Sequence, residues 1–160
     1  MTIKVGDKIP EAVLMEMTEN GPEPRKTADI FGGKTVALFA VPGAFTPTCS
    51  AKHLPGFGEK SEALHGKGVD DLVWTSVNDV FVMNGWGESA KAGGKVRMMA
   101  DGNANFAKAL GLEMDASGFG MGERSKRYSM LVKDGVVEQL NVEDGGEFKV
   151  SSADYLLGQI

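Results

Sequence analysis

Apolar residues in this chain come in short blocks punctuated by glycine, proline and charge. The longest uninterrupted block, Val36-Ala-Leu-Phe-Ala-Val41, would be apolar on both faces of an extended chain. Thr35–Val41 therefore predicts a strand buried in the middle of a sheet. Glu11–Met17 and Asp71–Val77 read as two further strands. After the second, Asn78-Asp79 offers a good cap pair. Met83, Trp86 and Ala90 then recur on one helical face, which predicts a helix over Val80–Ala92. Val96–Ala100 reads as a short strand and Asn103–Leu110 as a short helix. Arg127–Lys133 and Val136–Val142 flank Asp134-Gly135, the strongest hairpin signal in the chain. Ser151 and Ser152 cap a last helix over Ala153–Ile160. This alternation, closing on a hairpin and a helix, predicts an α/β fold with a mixed central sheet flanked by helices.

The length of 160 residues suits one domain over 1–160. With 22 acidic against 17 basic residues the net charge is −5, which argues against nucleic acid or an anionic membrane as partner. The longest apolar run is too short to span a bilayer. The opening MTIKVGDKIP lacks the apolar core of a secretory signal. A single cysteine cannot form an internal disulfide and fits a reducing compartment, so the expected location is cytoplasmic.

That cysteine carries the candidate chemistry. Residue type alone makes Cys49 a small buried hydrophobe. Its position says otherwise, because it follows Pro42-Gly43 and Thr46-Pro47, where an incoming strand should turn into a helix. Proline suits a first helical turn, where its missing N–H costs nothing. Cys49 would then sit among the unpaired N–H groups of a helix start, whose positive end favours a thiolate. Thr46 and Thr48 add hydroxyls within local reach. Pro55 should kink that helix just past the sulfur.

The string PGAFTPTCS (Pro42–Ser50) matches the P-x-x-x-T-x-x-C signature of the peroxiredoxins, thiol peroxidases of thioredoxin-like fold. VPGAFTPTCS, HLPGF (53–57), SVNDVFVMNGW (76–86) and KRYSMLVKDG (126–135) together resemble the type II, or fifth, subfamily across nearly the whole chain. The resemblance implies that Cys49 is the peroxidatic cysteine, whose thiolate attacks the O–O bond of a hydroperoxide. It implies that Thr46 bonds thiolate and peroxide, that Pro42 shields the sulfur from water, and that Arg127 lies near the thiol. An arginine keeps its charge, so it can hold a thiolate ionised and stabilise charge on the leaving oxygen. Without the resemblance Arg97, Arg124 and Lys126 would be equally available.

Some members of the subfamily carry a second thiol where this chain has Ser151, and plant-type members carry one where it has Trp74. The chain thus resembles a one-cysteine peroxiredoxin. The implied partners are hydrogen peroxide and alkyl hydroperoxides, glutathione with glutaredoxin or else thioredoxin as reductant, and a second copy in a homodimer (Phe45 and Phe81 are candidates for its contact). No metal and no tightly bound organic cofactor are expected. A rival reading is a non-enzymatic redox sensor or holdase-like binder that uses Cys49 as a switch.

Three weaker signals complete the reading. His53 could face Cys49 one helical turn on, although a packing role is the simpler one. Gly32-Gly-Lys-Thr35 precedes a strand and lacks the first glycine of a phosphate loop, so it is rejected. Gly118–Gly122 reads as a loop, with Phe119 and Met121 as apolar wall of the substrate mouth.

Overall fold

The computed structural model of the chain describes residues 2–46, 57–90, 96–144 and 147–160. Its elements are β1 (Val13–Thr18), β2 (Gly21–Lys26), α1 (Thr27–Phe31), β3 (Thr35–Ala40), α2 (Phe57–Gly66), β4 (Asp71–Ser76) and α3 (Val80–Ser89). There follow β5 (Arg97–Ala100), α4 (Asn105–Leu110), β6 (Glu113–Asp115), β7 (Glu123–Ser125), β8 (Tyr128–Lys133), β9 (Val136–Val142) and α5 (Ala153–Leu157). Seven strands form one mixed sheet in the order β2-β1-β5-β4-β3-β8-β9. β3, β4 and β5 run parallel, β8 lies antiparallel to β3, and β1 antiparallel to β5. β6 and β7 make a separate small hairpin.

β3 explains its own composition. Ala37, Phe39 and Val41 join a core with Leu64 of α2, Met83 and Trp86 of α3, and Leu156 of α5. Val36, Leu38 and Ala40 join a second core with Ile30 and Phe31 of α1 and Phe106 and Leu110 of α4. One strand faces two cores, so every position from Val36 to Val41 is apolar. Phe39 stacks on Trp74 of β4 at 5.4 Å between ring centres, and Trp86 meets Trp74 edge-on at 5.7 Å. α3 rests closely on β5, because a Cβ on Gly87 would lie 2.9 Å from Met98 Cγ.

The differences from the sequence reading are local. β2 contains Pro22 and Pro24 and hides its strand character, yet it pairs only with β1 at the sheet edge, where a missing N–H is harmless. α1 has five residues, too few to show a helical period. α4 starts at Asn105 because Ala104 adopts a left-handed φ of 61°, and the Asp101 carboxylate caps the helix by accepting from the N–H groups of Phe106 and Ala107. α5 stops at Leu157, ahead of Gly158, with Ser152 accepting from the Tyr155 N–H as expected of its cap. Asp134 and Gly135 have φ of 47° and 77°, the positive pair a two-residue hairpin turn demands. Gly32-Gly33 closes α1 and leads into β3, with the Gly33 N–H bonded to the Asp134 carboxylate. Among the described residues no helix is long and apolar enough to cross a membrane.

Candidate active site at the carboxyl ends of the parallel strands

β3 ends at Ala40 and hands the chain to Pro42–Thr46. Open α/β sheets present their sites beyond the carboxyl ends of parallel strands, and this loop leaves at that end. Ala40 pairs with Tyr128 in the antiparallel β3–β8 register. Arg127, one residue before β8, therefore falls beside Val41 at the root of the loop. PGAFT and KRYSM, far apart in the chain, become neighbours through sheet pairing alone. The Arg127 side chain is buried, and its carbonyl accepts from the Glu143 N–H at 2.9 Å. Pro42 and Thr46 are half-buried. Cys49 lies outside the described residues, as do Thr48, the expected helix start at Pro47, the kink at Pro55 and the His53 position.

Within the described part of the loop, Thr46 Oγ1 donates to the Gly43 carbonyl at 2.8 Å. A carbonyl has no proton to give, so the threonine hydrogen is committed there and Oγ1 keeps its lone pairs for an O–H from elsewhere. The same Gly43–Ala44 peptide is held from its other side, because the Ala44 N–H donates to Asn78 Oδ1 at 2.9 Å. Gly43 lies under the side chains of Thr46, Met121 and Arg124. A Cβ there would stand 3.1 Å from Thr46 Cγ2, 3.3 Å from Met121 Cε and 3.6 Å from an Arg124 nitrogen. Met121 thus packs against the loop at Gly43. Phe45 adopts φ 63°, a conformation that costs a bulky residue of order 1 kcal/mol or more and needs a well-held frame.

Arg124 belongs to that frame. Its Nε donates to the Met121 carbonyl at 2.9 Å and Nη1 to the Val77 carbonyl at 2.8 Å, joining the β6–β7 hairpin to the β4–α3 loop. Asp79 caps α3 by accepting from the Val82 N–H at 2.8 Å, while Asn78 turns away to the Pro42–Thr46 loop. The expected cap pair is thus one cap and one crosslink. Ser76 Oγ donates to the same Asn78 Oδ1 at 2.5 Å. Three aromatic rings around these segments are exposed: Phe45 at 53%, Phe81 at 65% and Phe119 at 87%.

The two positions where second thiols were sought are structural. Trp74 is fully buried in the aromatic cluster. Ser151 is fully buried and its hydroxyl donates to Glu143 Oε2 at 2.5 Å. Glu143 also accepts from the N–H groups of Lys149, Val150 and Ser151. Burial pushes its carboxyl up, but these four bonds outweigh burial and hold it below the usual carboxylate range. Behind Arg127, burial pushes the Tyr128 hydroxyl far up, reinforced by the charge of Asp101. His65 Nδ1 bonds the Val69 carbonyl at 2.7 Å, a contact that ties down the end of α2.

Sequence reading missed Asn78 as a crosslink, Arg124 as a loop clamp and Glu143 as an anchor. Only the polar run SVND could have pointed to the first. The other two depend on which loops the fold brings together. Among the described residues no group of three or more His, Cys, Asp or Glu could hold a metal ion.

Residues 4–157 match the Redoxin family model. The chain is 51% identical to peroxiredoxin-2E-2, chloroplastic, of Oryza sativa subsp. japonica, over 98% of this chain and 72% of the relative. It is 48% identical to peroxiredoxin-2B of Arabidopsis thaliana, over 97% and 96%. The crystal structure of reduced Prx3 of Vibrio vulnificus in complex with hydrogen peroxide superposes with a TM-score of 0.95 at 49% identity, covering 99% of both chains.

Proposed function

From the premise that the chain belongs to the Redoxin family, as a peroxiredoxin of thioredoxin-like fold and hence a thiol-dependent peroxidase, we propose that Cys49 reduces hydrogen peroxide and small alkyl hydroperoxides and that an external thiol restores it. The Cys49 thiolate attacks the terminal oxygen of ROOH. The O–O bond breaks, the sulfur becomes Cys–SOH, and RO⁻ leaves and takes a proton to give ROH. A thiol R′SH then displaces water to form a mixed disulfide. A second R′SH releases R′SSR′ and returns the cysteine. Glutathione with glutaredoxin is the proposed source of these thiols, since the chain has one cysteine and cannot close an internal disulfide.

The observation that carries this reading is the pairing of Ala40 with Tyr128, which sets a buried arginine beside the root of the Pro42–Thr46 loop. In the proposed mechanism Arg127 stabilises the thiolate and the negative charge arriving on the leaving oxygen. Thr46, its proton committed to Gly43, accepts the peroxide O–H and orients the O–O bond. Pro42 keeps water from the sulfenic acid.

The test follows peroxide consumption with glutathione plus glutaredoxin, with thioredoxin and its reductase, and with neither. Consumption over many equivalents with the glutathione system is expected. Consumption that stops at one equivalent with every reductant would sink turnover and favour a redox switch. Separately, Arg127→Gln is expected to slow oxidation of Cys49 about 10²-fold and to raise the pH midpoint of its alkylation. Unchanged kinetics and midpoint would take the role away from Arg127.

A further inference from the structure

The Gly43–Ala44 peptide unit links two contacts that belong to different parts of the fold. Its carbonyl accepts the Thr46 hydroxyl at 2.8 Å, and its N–H donates to Asn78 Oδ1 at 2.9 Å. The unit is planar, so fixing the direction of the N–H fixes the opposed direction of the C=O. We propose that Asn78, in the loop after β4, is a positioning residue for the peroxidase reaction: through this one peptide plane it aims the Thr46 hydroxyl at the bound hydroperoxide. The inference rests on the peroxidase reading above and adds a residue to it.

Asn78 is itself held on several sides. Ser76 Oγ, which lies 3.0 Å from Met83 Sδ of α3, donates to Oδ1 at 2.5 Å and orients the carboxamide. Arg124 holds the carbonyl of the preceding Val77. The following Asp79 is fixed as the cap of α3. The Ala44 N–H can only donate, so the amide oxygen must face it, and the Ser76 hydroxyl donates to the same oxygen. Asn78 is thus a rigid post on the sheet and α3, and the loop that holds Thr46 is fastened to it. Phe45, held at positive φ between Ala44 and Thr46, shows that the loop does not relax to a local preference.

The position suits orientation rather than ionisation. Asn78 carries no charge, so it leaves the thiolate population to other groups. Its loss should harm a reaction that needs an oriented O–O bond far more than one that needs only a thiolate. Hydrogen peroxide and iodoacetamide provide that contrast. Both consume the thiolate, so a change in the thiol pKa cancels from the ratio of their rates.

The experiment measures second-order rates of Cys49 with hydrogen peroxide and with iodoacetamide in the wild type, Asn78→Ala, Asn78→Ser and Asn78→Asp. Serine keeps polarity but is too short to reach Ala44, which covers the case that the alanine variant fails to fold. Aspartate keeps the acceptor and its reach. The peroxide rate is expected to fall about 30-fold in the alanine and serine variants, with alkylation within about threefold of wild type, and the ratio to return in Asn78→Asp. In a Thr46→Val background Asn78→Ala should add less than about threefold, because the two act through one contact. A parallel fall in both rates, an unchanged peroxide rate, or multiplying effects of Asn78 and Thr46 would overturn the inference alone. A wild type inert to peroxide would instead remove the peroxidase reading, and this inference with it.

Discussion

Replacing Cys49 by serine is expected to lower thiol-dependent peroxide consumption by about 10⁴-fold or more, to the rate of the reagents alone. The substitution changes one atom, so packing and backbone are left nearly as they were. What changes is ionisation and polarisability. A thiol placed near positive charge is substantially deprotonated at neutral pH, whereas a serine hydroxyl without a base is not. Sulfur can also accept an oxygen atom from the peroxide and be restored by another thiol, a cycle with no counterpart at oxygen. No second cysteine exists in the chain to take over. The measurement is loss of hydrogen peroxide under the reductant that supports wild-type turnover, with the unfolding midpoint as a check on the fold. Retention of more than about one-hundredth of the activity would move the chemistry to another group.

The parts of the molecule legible from sequence were those whose signals are local. Val36–Val41 is the apolar run expected of a buried central strand, and it lies at the junction of two cores. Asp134-Gly135 named its own turn, because few dipeptides take positive φ at both positions. β2 was hidden by Pro22 and Pro24, since propensity counts them against a strand and only the edge position excuses them. The candidate site divided in the same way. Thr46 and Pro42 were singled out because they flank the cysteine in the P-x-x-x-T-x-x-C string. Arg127 needed the resemblance, because residue type could not separate it from Arg124. Both arginines stand at this end of the sheet: Arg127 beside the loop root through the β3–β8 register, and Arg124 against Gly43 with two of its nitrogens on the Met121 and Val77 carbonyls. Asn78 was legible only as a helix cap, since its actual partner, Ala44, lies 34 positions away in the chain.

Trp74→Ala is expected to destabilise the fold by about 3–5 kcal/mol, the range for emptying a fully buried large aromatic site. Trp74 has no exposed surface, stacks on Phe39 at 5.4 Å and takes Trp86 edge-on at 5.7 Å. Alanine would remove both ring contacts and leave a void between β4 and α3 that close packing on either side cannot collapse into. The position also joins the fold to the chemistry. Phe39 and Trp74 are paired residues of β3 and β4, and these strands deliver the Pro42–Thr46 loop and the Ser76–Asn78 loop respectively. The stack therefore fixes the spacing between the two loops that the Asn78–Ala44 bond must bridge. Equilibrium unfolding in urea gives the stability change, and the peroxide-to-alkylation rate ratio, taken below the unfolding midpoint, reports the spacing. Both are expected to fall in Trp74→Ala, whereas Trp74→Phe, which refills most of the space, should lose less of each. A stability change under about 1 kcal/mol would mean that the cluster yields where close packing says it cannot.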